Sequence, residues 1–171
     1  MKALLVIDMI VDFIDPSGAL YIGPVAGELT SAVRDRLESY RVSGDTVIYI
    51  CDRHLEEDRE FEIFPPHSID GTGGSDIVSE LTPRNGERAI YKRRYSAFFG
   101  TDLDLTLREK KVSELELAGC VTNICVLYTA AEARMLNYQV TVYKKAVNGF
   151  DPEAHEFALQ EMKKTLGVIL K

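Results

Sequence analysis

Apolar positions along the chain follow two rhythms. Ala3 to Ile7 is an unbroken apolar run, the pattern of a strand buried on both faces of a parallel sheet, and it stops at Asp8. Glu28 to Tyr40 sets Leu29, Ala32, Val33, Leu37 and Tyr40 at helical spacing, and Gly44 closes the connection. Thr46 to Ile50 reads as a second strand, Arg88 to Tyr91 as a third and Glu114 to Ala118 as a fourth. A short helix is predicted over Leu103–Glu109. A longer one begins near Ile124, capped by Thr122 or Asn123, and closes near Asn137. Gln139 to Tyr143 is a fifth strand. Asp151-Pro152 opens a helix to about Thr165, and Val168 to Leu170 is a sixth strand.

Strands alternating with helices predict a three-layer α/β/α fold around a six-stranded parallel sheet, in one domain spanning 1–171. Ligands of such sheets bind beyond the carboxyl ends of the strands, where strand order reverses. The first four strands lead into Asp8, Asp52, Lys92 and Cys125, so these residues should gather on one edge. Between Leu55 and Arg88 only Asp76–Leu81 looks helical. The rest is charged, Pro-rich or Gly-rich, and a connection that long suggests a binding loop.

Composition narrows the partners. The formal net charge is −7 and the longest basic run is Lys92-Arg93-Arg94, which argues against nucleic acid or an anionic membrane as a partner. The charge-interrupted N-terminus does not read as a signal peptide, and no apolar stretch reaches membrane-spanning length. Three cysteines, Cys51, Cys120 and Cys125, form no C-x-x-C pattern, so reduced thiols in a cytoplasm are expected.

Cys125 lies in the first turn of its helix, where free backbone N–H groups and the helix dipole favour a thiolate and could hold an oxyanion. The plain alternative is a thiol packed in a core helix. Asp8 and Lys92 are the partners available at neighbouring strand ends. A carboxylate there can take the thiol proton and return it to a departing amine, while the ammonium supports the thiolate. Taken singly, Asp8 also suits a cap or loop carboxylate, and Lys92 a solvated patch with Arg93 and Arg94. His155, among charged neighbours on a helix, is assigned to the surface.

Asp52 and His54 alternate with one residue between them and so project to one side of an extended chain; His67 follows two stiffening prolines. With Glu60 or Glu62 as a further carboxylate, these residues suit one divalent transition ion, zinc first, with manganese or iron as alternatives.

Taken together, Asp8-Met9-Ile10-Val11-Asp12-Phe13, Asp52-Arg53-His54, Phe64-Pro65-Pro66-His67, Lys92-Arg93-Arg94-Tyr95-Ser96-Ala97-Phe98, Gly100-Thr101-Asp102-Leu103 and Gly119-Cys120-Val121-Thr122-Asn123-Ile124-Cys125 resemble the isochorismatase-like cysteine hydrolases, and among them the nicotinamidases. The resemblance implies a catalytic triad of Asp8, Lys92 and Cys125 and metal ligands Asp52, His54, His67 and Glu60. It implies a cis peptide between Val121 and Thr122, which would turn the Thr122 N–H toward an oxyanion beside that of Cys125. Phe13, Leu20, Phe64, Tyr95 and Val121 would line the substrate pocket. The activity implied is deamidation of nicotinamide in NAD salvage, by a cytoplasmic homo-oligomer, dimer or tetramer. Isochorismatases proper lack the cysteine. The alternatives are an amidase for an N-carbamoyl or ureido compound, or a non-catalytic, redox-responsive protein on the same frame.

Overall fold

Six strands, β1 (Lys2–Ile7), β2 (Thr46–Asp52), β3 (Arg88–Lys92), β4 (Glu114–Cys120), β5 (Gln139–Asn148) and β6 (Ile169–Leu170), pair in parallel in the order β3-β2-β1-β4-β5-β6. The computed structural model describes residues 1–171. The chain builds outward from β1 to β3, crosses back over the sheet, and builds outward again from β4 to β6. The reversal therefore falls between β1 and β4, and a crevice opens beyond their carboxyl ends.

The continuous apolar run of β1 is needed because both of its faces are covered. Ala3, Leu5 and Ile7 pack with Leu103 and Leu107 of α3 (Leu103–Glu109), Ala130 and Ala133 of α4 (Leu127–Met135), and Leu159 and Met162 of α5 (Pro152–Lys164). Leu4 and Val6 pack on the other side with Phe13 of α1 (Val11–Ile14) and with Leu29, Val33 and Leu37 of α2 (Ala26–Ser43). Each of the buried Leu, Ile, Val and Met side chains among them contributes about 1.5–3 kcal/mol of transfer free energy. Gly119 lets β4 lie hard against β1: it has φ +121°, and a Cβ there would sit 1.9 Å from the Ile7 carbonyl oxygen. That contact brings the chain after β4 beside the end of β1.

Three sequence expectations need correction. Asp76–Leu81 is not a helix. Ile77 is extended and bridges Ile10, and only Ser79–Leu81 forms a short 3-10 turn. The helix after β4 opens with a wide π-type turn, Thr122–Val126, and neither Thr122 nor Asn123 caps it with a side chain. Strand β5 runs five residues past Tyr143. Lys144 and Lys145 interrupt its apolar pattern, but Ala146 and Val147 are buried again and pair alongside the end of β4 after a register shift. The Asp151 cap is as expected, its carboxylate accepting from the Glu153 and Ala154 N–H groups.

Candidate active site

Asp8, Lys92 and Cys125 meet at the crevice. Asp8 follows β1 with a left-handed backbone (φ 51°), an uncommon conformation held here by packing on all sides. Its Oδ1 accepts from the Asp52 N–H at 2.8 Å, and its Oδ2 lies 2.9 Å from Lys92 Nζ. Lys92 Nζ also hydrogen-bonds Asp52 Oδ1 and stands 3.3 Å from Cys125 Sγ. Asp8, Lys92 and Asp52 are all nearly or wholly shielded from solvent.

One ammonium between two buried carboxylates decides where protons reside. Burial opposes the charge on Asp52, but the Lys92 ammonium and the His54 contact more than offset it and hold Asp52 below its ordinary value. Burial, reinforced by the Asp52 charge, pushes Asp8 up to about 6. Asp8 is thus the proton-exchanging carboxyl of the pair. Lys92 stays charged, since Asp52 and Asp8 outweigh its burial. Cys125 departs from the sequence expectation of a thiolate. Burial drives its pKa above the ordinary thiol value, with Lys92 working in the opposite direction, so at rest it is a thiol beside a base.

Asp52 also borders a second cluster. One ligand atom from each of Asp52, His54, Glu60 and His67 falls within 4.8 Å of the others, and all four residues are buried. Glu62, the other carboxylate considered, is exposed. His54 Nε2 has no hydrogen-bond partner; it faces Asp52 Oδ2 at 3.8 Å and Glu60 Oε1 at 3.9 Å. The Nδ1 atoms are engaged elsewhere, that of His54 with Asp58 at 3.1 Å and that of His67 with the Pro65 carbonyl at 2.8 Å. Burial and the Asp52 charge push Glu60 up, a direction a cation would reverse. An orphaned imidazole nitrogen among carboxylate oxygens fits a divalent ion of the zinc, manganese or iron(II) type.

A small cavity opens onto both clusters. Its walls include Phe13, Leu20, Phe64, Tyr95 and Val121, the five residues assigned from the sequence, together with Asp52, Glu60, His67 and Cys125. Ile124 and Phe150 also line it and were missed. The cis peptide lies between Cys120 and Val121, not between Val121 and Thr122. The Val121 N–H donates to no acceptor. Thr122 is fully buried, and its hydroxyl pairs at 2.8 Å with His155 Nδ1 from α5. His155 is therefore a half-buried partner of the turn that carries Cys125, not a surface residue. Arg93 and Arg94 are likewise not a plain solvated patch; both bind Asp58. Asp12 was also overlooked: its carboxylate accepts from the Ser68 N–H at 2.6 Å and so anchors the loop just after His67.

Comparison with known proteins agrees with this geometry. The isochorismatase domain model matches residues 2–171. The crystal structure of the nicotinamidase PncA from Bacillus subtilis superposes with a TM-score of 0.93 at 38% identity, covering 99% of this chain and 98% of that one. An N-carbamoylsarcosine amidase from Thermoplasma acidophilum gives 0.91 at 34%, with 99% and 95% covered. The pyrazinamidase of Pyrococcus horikoshii, solved in complex with zinc, gives 0.93 at 30%, with 99% and 98% covered.

Proposed function

The chain belongs to the isochorismatase family and is a hydrolase of amide bonds, and from that premise we propose that it deamidates nicotinamide to nicotinate and ammonia. The observation that carries this choice is the cavity wall. Phe13, Phe64, Tyr95 and Phe150 surround it with rings, its only charged lining groups are the carboxylates of the metal-type cluster, and no Lys or Arg lines it. A flat, uncharged pyridine amide suits such a space. N-carbamoylsarcosine, the substrate of one relative, is an anion at neutral pH; these walls offer it no Lys or Arg, and leave only the divalent ion as a counter-charge, which the pyridine nitrogen would take in nicotinamide.

Chemistry follows from the residues present. Asp8 takes the thiol proton as Cys125 Sγ attacks the amide carbon, and Lys92 supports the developing thiolate from 3.3 Å. The unpaired N–H of Val121, a residue of the cavity wall, serves the oxyanion beside the Cys125 N–H, in the role that the resemblance gave to Thr122. Asp8 then returns the proton to the leaving ammonia, and afterwards draws a proton from the water that hydrolyses the thioester. Asp52, His54, Glu60 and His67 would hold the divalent ion, which supplies a Lewis-acid anchor for the ring nitrogen. A soluble homo-oligomer in the cytoplasm remains the reading for its cellular form.

Ammonia release from nicotinamide, pyrazinamide, benzamide and N-carbamoylsarcosine tests the substrate. Nicotinamide and pyrazinamide are expected to turn over comparably. Benzamide, lacking the ring nitrogen, should be slower by about a hundredfold or more from lost orientation. Equal rates for benzamide remove the ring anchor, and turnover of the carbamoyl compound alone replaces the substrate.

A further inference from the structure

Asp58 is an unusual residue for a loop. Its side chain is wholly buried, and four nitrogens converge on it. Oδ2 meets His54 Nδ1 at 3.1 Å and Arg93 Nε at 3.0 Å; Oδ1 accepts from the Glu60 N–H at 3.1 Å and from Arg94 at 3.0 Å. Two of these partners, His54 and Glu60, belong to the metal-type cluster. The other two directly follow Lys92 at the end of β3.

We propose that Asp58 is the positioning residue of the metal cluster: it fixes the His54 proton on Nδ1, sets the turn that carries Glu60, and ties both to the strand end of Lys92 through Arg93 and Arg94. The inference rests on reading Asp52, His54, Glu60 and His67 as metal ligands. The proton assignment follows from donor and acceptor chemistry. A carboxylate clamped by two guanidinium groups is ionised and can only accept, so the ring nitrogen facing it must carry the proton. The lone pair is left on Nε2, the orphaned atom that faces Asp52 and Glu60. A carboxylate behind a ligating imidazole orients the ring and makes it a better donor, and its loss costs about 10–100-fold in metal affinity. His67 is served by a neutral carbonyl at Pro65, so the charged support falls on His54 alone.

The test is zinc affinity by chelator competition on the full chain, without substrate, for wild type, Asp58→Asn and Asp58→Ala. Asp58→Asn keeps the volume and an oxygen for the turn, so it guards against a variant that fails to fold. Zinc binding should weaken by about tenfold in Asp58→Asn and by up to about a hundredfold in Asp58→Ala. Nitrogen-15 NMR of the zinc-free wild type should show His54 protonated on Nδ1, and Asp58→Ala should lose that preference. A mere turn cap would not move this signal. Affinities of both variants within about twofold of wild type, or a wild-type proton on Nε2, would overturn the proposal. A wild type that takes up no zinc overturns it together with the metal reading. The predicted affinity losses in an enzyme that ignores nicotinamide would support it and remove only the substrate assignment.

Discussion

Asp8→Asn separates the base from the frame around it. The substitution keeps the shape, and an asparagine oxygen can still accept from the Asp52 N–H, now at 2.8 Å. What it removes is the acceptor for the Cys125 proton. Burial holds the Cys125 thiol above its ordinary range, so without a base the sulfur stays largely protonated at neutral pH. Losing the base, and with it proton return to the leaving ammonia, costs a factor of about 10²–10⁴. The expected fall in kcat/KM at pH 7 is therefore about 10²–10⁴. The pH profile should change as well. Wild-type activity rises with pH through about 6 as Asp8 ionises, whereas the variant should gain activity steadily into the alkaline range, following the thiol. Stability should move the other way. Raising a carboxyl from 3.8 to about 6 disfavours its ionised form by about 3 kcal/mol. Because the folded value lies above the unfolded one, wild type loses this stability as pH rises from about 4 through 6. At pH 7 the asparagine variant lacks that cost, and its urea midpoint should equal or exceed that of wild type. Retention of more than about a tenth of kcat/KM, or an unchanged rise near pH 6, would refute Asp8 as the base.

The remaining predictions concern access, metal and backbone. Iodoacetamide should label Cys125 first and Cys51 and Cys120 far more slowly, because all three are buried but only Cys125 lines the cavity; peptide mapping that finds either of the others first would count against this. Elemental analysis of protein purified without chelator should find one divalent transition ion per chain, lost in His54→Ala; equal metal content in the variant would remove His54 as a ligand. Gly119→Ala should destabilise by several kcal/mol, about 3 or more, since its Cβ would collide with the Ile7 carbonyl; an unchanged melting temperature would mean that β4 can withdraw from β1 without cost.

The frame was legible because its signals are local. The unbroken run in β1, the helical spacing of Leu29, Val33 and Leu37, and the Asp151-Pro152 start each state their structure within a few residues. The meeting of Asp8, Lys92 and Cys125 was legible because parallel strands deliver their carboxyl ends to one edge, so Asp8 and Lys92 had to approach the Cys125 turn. The clamp on Asp58 was not, since Arg93 and Arg94 lie 35 and 36 residues away and look like a solvated run until the loop folds back. His155 hid for the same reason: its partner Thr122 is 33 residues upstream. The protonation of Cys125 was misjudged because a helix start argues for a thiolate locally, while the burial that reverses it is a property of the whole crevice.

The central claim is that Cys125 attacks the amide of nicotinamide. Nicotinate and ammonia formed from nicotinamide, measured side by side for wild type and Cys125→Ala with folding verified for both, tests it most directly. The account predicts equal amounts of the two products from wild type and none above background from the variant. Turnover by Cys125→Ala, or a folded, metal-loaded wild type that leaves nicotinamide untouched, would contradict it.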